Sequence, residues 1–485
     1  MVKITPVSTD PSAGSQLNNL LFDFVKTIES TPGMNPPQAS RLYFLLGSLL
    51  WNAFATLDKK FSFVDGFSAS TTHWRPGTNE SDKWNAFYSR LVICLEELQK
   101  QELKLLVPPP MPSPMPPHFG PPLSEFRDSV KAYLDRRWDD GHRQTNEGFT
   151  YPNQGHYIRV GGPPQNLEEE LPDVNSWCPL SILQPDGTYK NQSYVTPLFG
   201  NVTHWFSEDE WKNLFDLAEA QYPTPEVFQR QVLDTVELSS TLTSQQKLIA
   251  EVWAGSEKGK ASPPSKWILF LGILLAVKRY PTKESVALIG GLTFTLFHSA
   301  VTAWAVKGKY LQPRPIQVLR QQFFDAQVTS PRTGKPVNGA EWLPYLGTPG
   351  FPDYVSGHSV FSMGCAVFLQ MVTGSDRIPF EGVFLGTEYM RMWTGVFDSC
   401  TEPFLFNYIP LPPGCSKVDP GKEPLAPLFM GWTSWSELAH ETSDSRRYGG
   451  IHHHSSCHAG VILGSQVAKD IFGHIQWAKM KLKFE

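Results

Sequence analysis

Between Thr243 and Val372 the chain alternates long apolar runs with prolines, and this alternation limits its fold more than any other feature. Thr243-Ser244-Gln245-Gln246 fits a capping box, followed by Leu248, Ile249, Val252 and Trp253 at helical spacing. Pro263-Pro264 precede the run Trp267 to Val277, and Pro281 separates that run from the uncharged stretch Val286 to Val306. Pro313 and Pro315 stop the latter, and Pro352 leads into another apolar run around Val360, Ala366, Val367 and Leu369. Upstream, RLYFLLGSLLWNAFATLD at 41–58 predicts a buried helix and Trp84 to Leu105 another. Helices joined by short proline-bearing connections predict a mainly α body, with no repeat and no alternating strand set. The 286–306 run is long enough to cross a membrane. Thr293, Thr295, His298, Ser299, Thr302 and the pair Gly290-Gly291 favour a buried helix instead.

A chain of 485 residues with 13% aromatic content can bury substantial cores, and its net charge of −5 argues against a nucleic-acid surface. The stretch VPPPMPSPMPPHFGPP, 107–122, cannot continue a helix and reads as a stiff connector. Two regions are expected: a helical and loop-rich one over 1–235, and a helical one over 236–485 that carries the chemistry. The opening MVKITPVSTDPSAG lacks the apolar run of a secretory signal, which makes the cytoplasm the default compartment. The six cysteines show no CxxC pair and no zinc spacing and are expected as free thiols, with Cys400 and Cys415 the one pair placed to bridge a loop. Oligomeric state is open.

Three distant stretches carry chemistry. In WAVKGKYLQPRP, 304–315, Lys307 and Arg314 stand seven apart, with Arg314 on a stiff turn; held together, two cations repel unless an anion lies between them. In FPDYVSGHSVF, Ser356-Gly357-His358 lies at a helix N-terminus, where free N–H groups and the dipole favour an anion. In SRRYGGIHHHSS, 445–456, Ser445 or Asp444 is read as a cap or turn, Arg446 as a forked oxyanion donor, and His452 follows Gly449-Gly450. Three cations, a helix N-terminus and two histidines suit a small, highly charged oxyanion such as phosphate or an analogue.

Lys307-x6-Arg314-Pro315, Ser356-Gly357-His358 and Ser445-Arg446-x5-His452 resemble, in order and spacing, the three-part signature of the vanadium-dependent haloperoxidases and the related acid phosphatases. The resemblance implies a mainly helical fold with two four-helix bundles. It also implies that Lys307, Arg314 and Arg446 neutralise the equatorial oxygens of vanadate (V5+), with Ser356 and the Gly357 amide adding hydrogen bonds. By the same resemblance His452 is the axial nitrogen ligand to vanadium, and His358 is the acid–base residue beside the apical oxygen. Trp304 and Phe351 match positions that flank the halide in chloride-oxidising relatives, and the core is the competing place for two aromatics.

The implied reaction is oxidation of chloride or bromide by hydrogen peroxide to hypohalous acid, with an organic acceptor as a further partner. The alternatives are a soluble acid phosphatase working through a phosphohistidine on His452, and a degenerate oxyanion-binding homologue. Three positions depart from the family pattern. Val355 stands where proline is usual before Ser-Gly-His. Ser456 stands where an aspartate follows the ligand histidine by four, and His454 where many relatives have arginine.

Overall fold

A computed structural model describes residues 2–4, 12–71, 73–74, 77–102, 122–143, 148–255 and 257–484. Apart from Pro122, the connector expected at 107–122 lies outside the described residues. In chain order the helices are α1 (Ala13–Ser30), α2 (Pro36–Ala55), α3 (Glu80–Gln101), α4 (Leu123–Trp138), α5 (Leu167–Glu170), α6 (Glu208–Gln221), α7 (Pro225–Ser240) and α8 (Ser244–Ala254). They continue with α9 (Pro263–Lys278), α10 (Thr282–Tyr310), α11 (Pro315–Gln322), α12 (Gly357–Thr373), α13 (Thr387–Trp393), α14 (Trp435–Tyr448), α15 (His454–His474) and α16 (Trp477–Met480). The strands are two to four residues long and form small separate sheets, such as the parallel pair Val2–Ile4 and Val383–Leu385. The fold is mainly α, as the proline-punctuated pattern predicts.

Local chemistry sets the helix ends. Thr243 and Gln246 exchange the reciprocal contacts of a capping box at the start of α8. Asn35 caps α2 ahead of Pro36, and Pro263-Pro264 occupy the first turn of α9, where a missing N–H costs nothing. At the far end of α10 the chain leaves the helix at Leu311, and Arg314 takes the N-cap position of α11, directly before Pro315.

Helices α1, α2, α9 and α10 pack as one group of four, and α10, α12, α14 and α15 as a second, with α10 shared. The hydrophobic core runs through both, from Leu17 to Met480. The apolar length of α10 would allow it to cross a membrane; here that segment is wholly buried within the protein. Three of its polar side chains bond locally, while the Ser299 and Thr302 hydroxyls are buried without a partner among the described residues. The Thr293 and Thr295 hydroxyls donate to the carbonyls of Ile289 and Gly291 at 2.8 and 2.9 Å. His298 Nδ1–H donates to the Phe294 carbonyl at 2.7 Å, and its Nε2 accepts from the Trp205 amide at 3.1 Å. All six cysteines are free, Cys400 and Cys415 included.

Helices α12 and α15 approach closely because glycines line their contact. A Cβ on Gly460 would lie 2.7 Å from Ser359 Cβ and 2.8 Å from the Ser356 carbonyl oxygen. A Cβ on Gly464 would collide with the Val360 carbonyl oxygen. This contact draws the N-terminus of α12 onto the joint between α14 and α15, where two of the three predicted motifs meet.

Candidate active site: a buried cationic cage

Lys307 lies in the last turn of α10, Arg314 heads α11, Phe351 to His358 lead into α12, Arg446 lies in the last turn of α14, and His452 occupies the α14–α15 joint. The fold brings all of them together. Lys307 Nζ donates to the carbonyls of Pro352 and Asp353 at 2.6 and 2.9 Å. Arg314 Nε donates to the Phe351 carbonyl at 2.8 Å, while its Nη1 donates to the Ile451 carbonyl at 2.6 Å and to His452 Nε2 at 2.9 Å. The Phe351 ring centroid lies 5.0 Å from both cations, which anchors the lead-in by cation–π attraction.

Donor and acceptor chemistry assigns the two histidines. A guanidinium can only donate, so His452 Nε2 carries the lone pair, and Nδ1 carries the proton. Nδ1–H points at the Asp353 carboxylate and at Ser456 Oγ, 2.9 Å away. The Ser456 hydroxyl donates to the Asp353 carbonyl at 2.9 Å, and the His453 amide donates to Asp353 Oδ2 at 3.0 Å. His358 Nε2 lies 3.0 Å from the Trp253 carbonyl; a carbonyl can only accept, so Nε2 carries the proton and Nδ1 is the basic nitrogen.

Burial drives the titration of the cage. It holds His452 well below the ordinary imidazole range, with the Arg314 charge adding to the shift and Asp353 opposing it. Burial, Arg446, Lys266 and His452 do the same for His358. Burial works against the ionised form of Asp353, but His452, His453 and Arg314 outweigh it and hold the carboxyl below its usual range. Burial and the charge of Arg314 bring Arg446 down to about 9, and burial lowers Arg314 to about 10.

A cavity of about 710 Å3 opens onto this cluster, and Trp304, Phe351, Gly357, His358, Arg446 and His452 form part of its wall. Lys307, Arg314 and Ser356 are buried behind them. Ser356 caps α12, accepting from the Ser359 amide at 3.4 Å, which leaves its O–H free to donate. The rings of Trp304 and Phe351 lie 5.2 Å apart, and the Trp304 N–H is taken by the Val195 carbonyl at 2.9 Å, so these aromatics belong to core and cavity wall at once.

One expectation needs correction, and one residue was missed. Ser445 and Asp444 neither cap nor turn the chain: they lie inside α14, whose cap is Ser434, because the helix runs on to Tyr448. His453 is buried against Phe228, while His454 is exposed at the start of α15, its ring stacked with that of His458. The missed residue is Asp353. The carboxylate absent at position 456 is supplied from another segment, and Ser456 keeps contact with both partners. The only hint of this in the sequence is an aspartate five residues before His358 in a proline-marked lead-in. Val355, in a cis peptide with Tyr354, is fully buried.

The cage holds buried donors with no acceptor among the described residues, the condition an oxyanion would meet. Arg314 Nη2 and Arg446 Nε and Nη1 are buried with no hydrogen-bond partner among the described residues. A buried donor left unpaired costs about 1–3 kcal/mol, more when charged, so these atoms call for an acceptor.

Residues 287–479 match the protein family described as the VCPO second helical-bundle domain. No curated protein matches the chain. Among solved structures, a holo-type bacterial vanadium-dependent chloroperoxidase superposes with a TM-score of 0.63 at 15% identity, covering 94% of this chain and 96% of that one. The apo-type bacterial enzyme gives 0.60 at 15% identity, covering 91% and 95%. A bacterial vanadium-dependent iodoperoxidase gives 0.59 at 15% identity, covering 97% and 98%. At that identity the likeness is one of fold. Residues 287–479 thus match a VCPO helical-bundle domain, and the chain as a whole shares the fold of the vanadium-dependent haloperoxidases.

Proposed function

We propose that this protein is a vanadium-dependent haloperoxidase that uses hydrogen peroxide to oxidise chloride or bromide to hypohalous acid. The observation that carries the reading is the set of unpartnered guanidinium donors on Arg314 and Arg446, gathered beside a His452 whose lone pair is on Nε2. Lys307, Arg314, Arg446, Ser356 and the Gly357 amide would hold the oxygens of vanadate, and His452 Nε2 its metal. Bound there, vanadate supplies a Lewis acid that draws charge from the oxidant.

The chain's own residues do the rest. Asp353 and Ser456 hold the Nδ1 proton of His452 and keep its other nitrogen basic. His358, oriented by the Trp253 carbonyl at Nε2, would accept a proton at Nδ1 from hydrogen peroxide and later give one back. Its depressed basicity keeps it unprotonated and ready near neutral pH. Trp304 and Phe351 present an apolar wall that strips water from a halide and makes it more reactive.

His452 also supports a second reading. A carboxylate-backed imidazole with its lone pair on Nε2, released by Arg314 to an entering phosphoryl group, is a suitable nucleophile for phosphorus, as a phosphohistidine mechanism requires. One experiment separates the two. Apo-protein is incubated with orthovanadate and assayed for peroxide-dependent halogenation of a β-diketone in chloride, bromide and iodide. Halogenation that requires vanadate and disappears in His452→Ala is the expected result. No halogenation, with hydrolysis of p-nitrophenyl phosphate that vanadate blocks, overturns the first reading in favour of the second. Vanadate bound with neither reaction leaves an oxyanion-binding protein.

A further inference from the structure

Lys266, on α9, lies outside the three motifs and outside residues 287–479. Its side chain is buried, with the residue only 2% exposed. Nζ donates to the Val252 carbonyl at 2.8 Å and stands 5.7 Å from the Trp253 ring centroid. The next carbonyl along α8, that of Trp253, holds His358. Both belong to the last turn of α8, whose carbonyls have no partner within the helix. One end of α8 is thus shared between Lys266 and the acid–base histidine. Ser262, four residues earlier and so on the same side of α9, lines the cavity, which sets Lys266 one turn deeper.

Among the described residues Lys266 has no carboxylate within ion-pair distance. Glu29 and Glu257 act on it from farther away, and both are otherwise engaged. Glu29 accepts from the Ser262 amide and hydroxyl at 2.8 and 2.6 Å and from Ser265. Glu257 accepts from Thr394 Oγ1 and the Gly395 amide, both at 3.3 Å. Burial brings the ammonium down to about 7, with Glu257 and Glu29 opposing the shift and Arg446 adding to it. The charges of Lys266 and Arg446 both press on His358.

Lys266, Lys307, Arg314 and Arg446 are four buried basic side chains, and Asp353 lies 4.0 Å from Arg314. Buried charge is costly unless it is balanced. Burial holds the Lys266 and Lys307 ammoniums below their ordinary range, and an oxyanion bound in the cage would favour their charged forms.

We propose that Lys266 is a fourth cation of the cage, a positioning residue whose charge tightens oxyanion binding through Arg446 and His358 without touching the guest. The proposal rests on the cage binding an oxyanion, and does not depend on which reaction follows.

The test uses full-length apo-protein, titrated calorimetrically with orthovanadate and separately with inorganic phosphate. Lys266→Met is expected to bind both roughly tenfold more weakly, with an apo melting temperature equal to or above wild type, because an unbalanced buried charge has been removed. Lys266→Arg is expected to keep near wild-type affinity. Unchanged affinity in Lys266→Met, with or without a lower melting temperature, overturns the proposal. If Lys266→Met does not fold, Lys266→Gln against Lys266→Arg decides: loss in Gln alone supports the proposal, and equal affinity overturns it. Wild type that binds neither anion overturns the proposed function and this inference together. Normal binding without halogenation overturns only the haloperoxidase reading.

Discussion

His452 keeps one nitrogen for the cage because the other is occupied by Asp353 and Ser456. The hydrogen-bond partner of a ligating histidine is worth about 10–100-fold in metal affinity. Asp353→Asn keeps the shape but removes the charge that holds the Nδ1 proton, and is expected to weaken orthovanadate binding within that range. Ser456→Ala should cost less, since the carboxylate remains; calorimetric titration of the two variants checks the order. The basic and histidine residues were legible in the sequence because a spaced motif displays them. Asp353 was not, because it reaches a histidine 99 positions away and sits in a stretch whose visible feature is Ser-Gly-His.

At the scale of elements, the cage depends on α12 and α15 lying nearly backbone to backbone. Gly464→Ala sets a methyl against the Val360 carbonyl and 2.9 Å from the Gly364 amide nitrogen, so one helix must shift. Overpacking of this kind costs about 1–3 kcal/mol. The expected outcome is a urea midpoint lowered to match, together with weaker oxyanion binding, because the displaced helices carry Ser356 and adjoin His452. A variant with wild-type midpoint and affinity would show that the contact is slack. The capping box of α8 and the proline start of α9 were readable from a few consecutive residues. The placement of Arg446 was not: polar Asp444-Ser445 resembles a cap in isolation, and only the packing of α14 on α12 and α8 keeps it helical.

For the whole molecule, burial of neutral imidazoles ties stability to pH. His298, His358 and His452 are all held well below the ordinary value of 6.5, burial being the largest cause in each. Below that value the unfolded chain binds protons that the folded chain refuses, so the stability present above pH 6.5 is lost as pH falls. Asp353, depressed in the same sense, extends the loss into the carboxylate range. The urea midpoint of the apo-protein is expected to be lower at pH 5 than at pH 7.5; equal midpoints would contradict the burial of neutral histidines.

The sequence by itself determined the helix boundaries marked by the capping box of α8 and the prolines around α9 to α11, and which cations and histidines are available to hold an oxyanion. Those features depend on neighbours within about one helical turn, and on motifs whose spacing survives without coordinates. Only the tertiary structure decided that Asp353 meets His452 beside Ser456, that the Trp253 carbonyl orients His358, and that Lys266 is buried against the neighbouring Val252 carbonyl. Each of these joins separate segments of the chain, and helix packing, which no local pattern encodes, sets the distance between them.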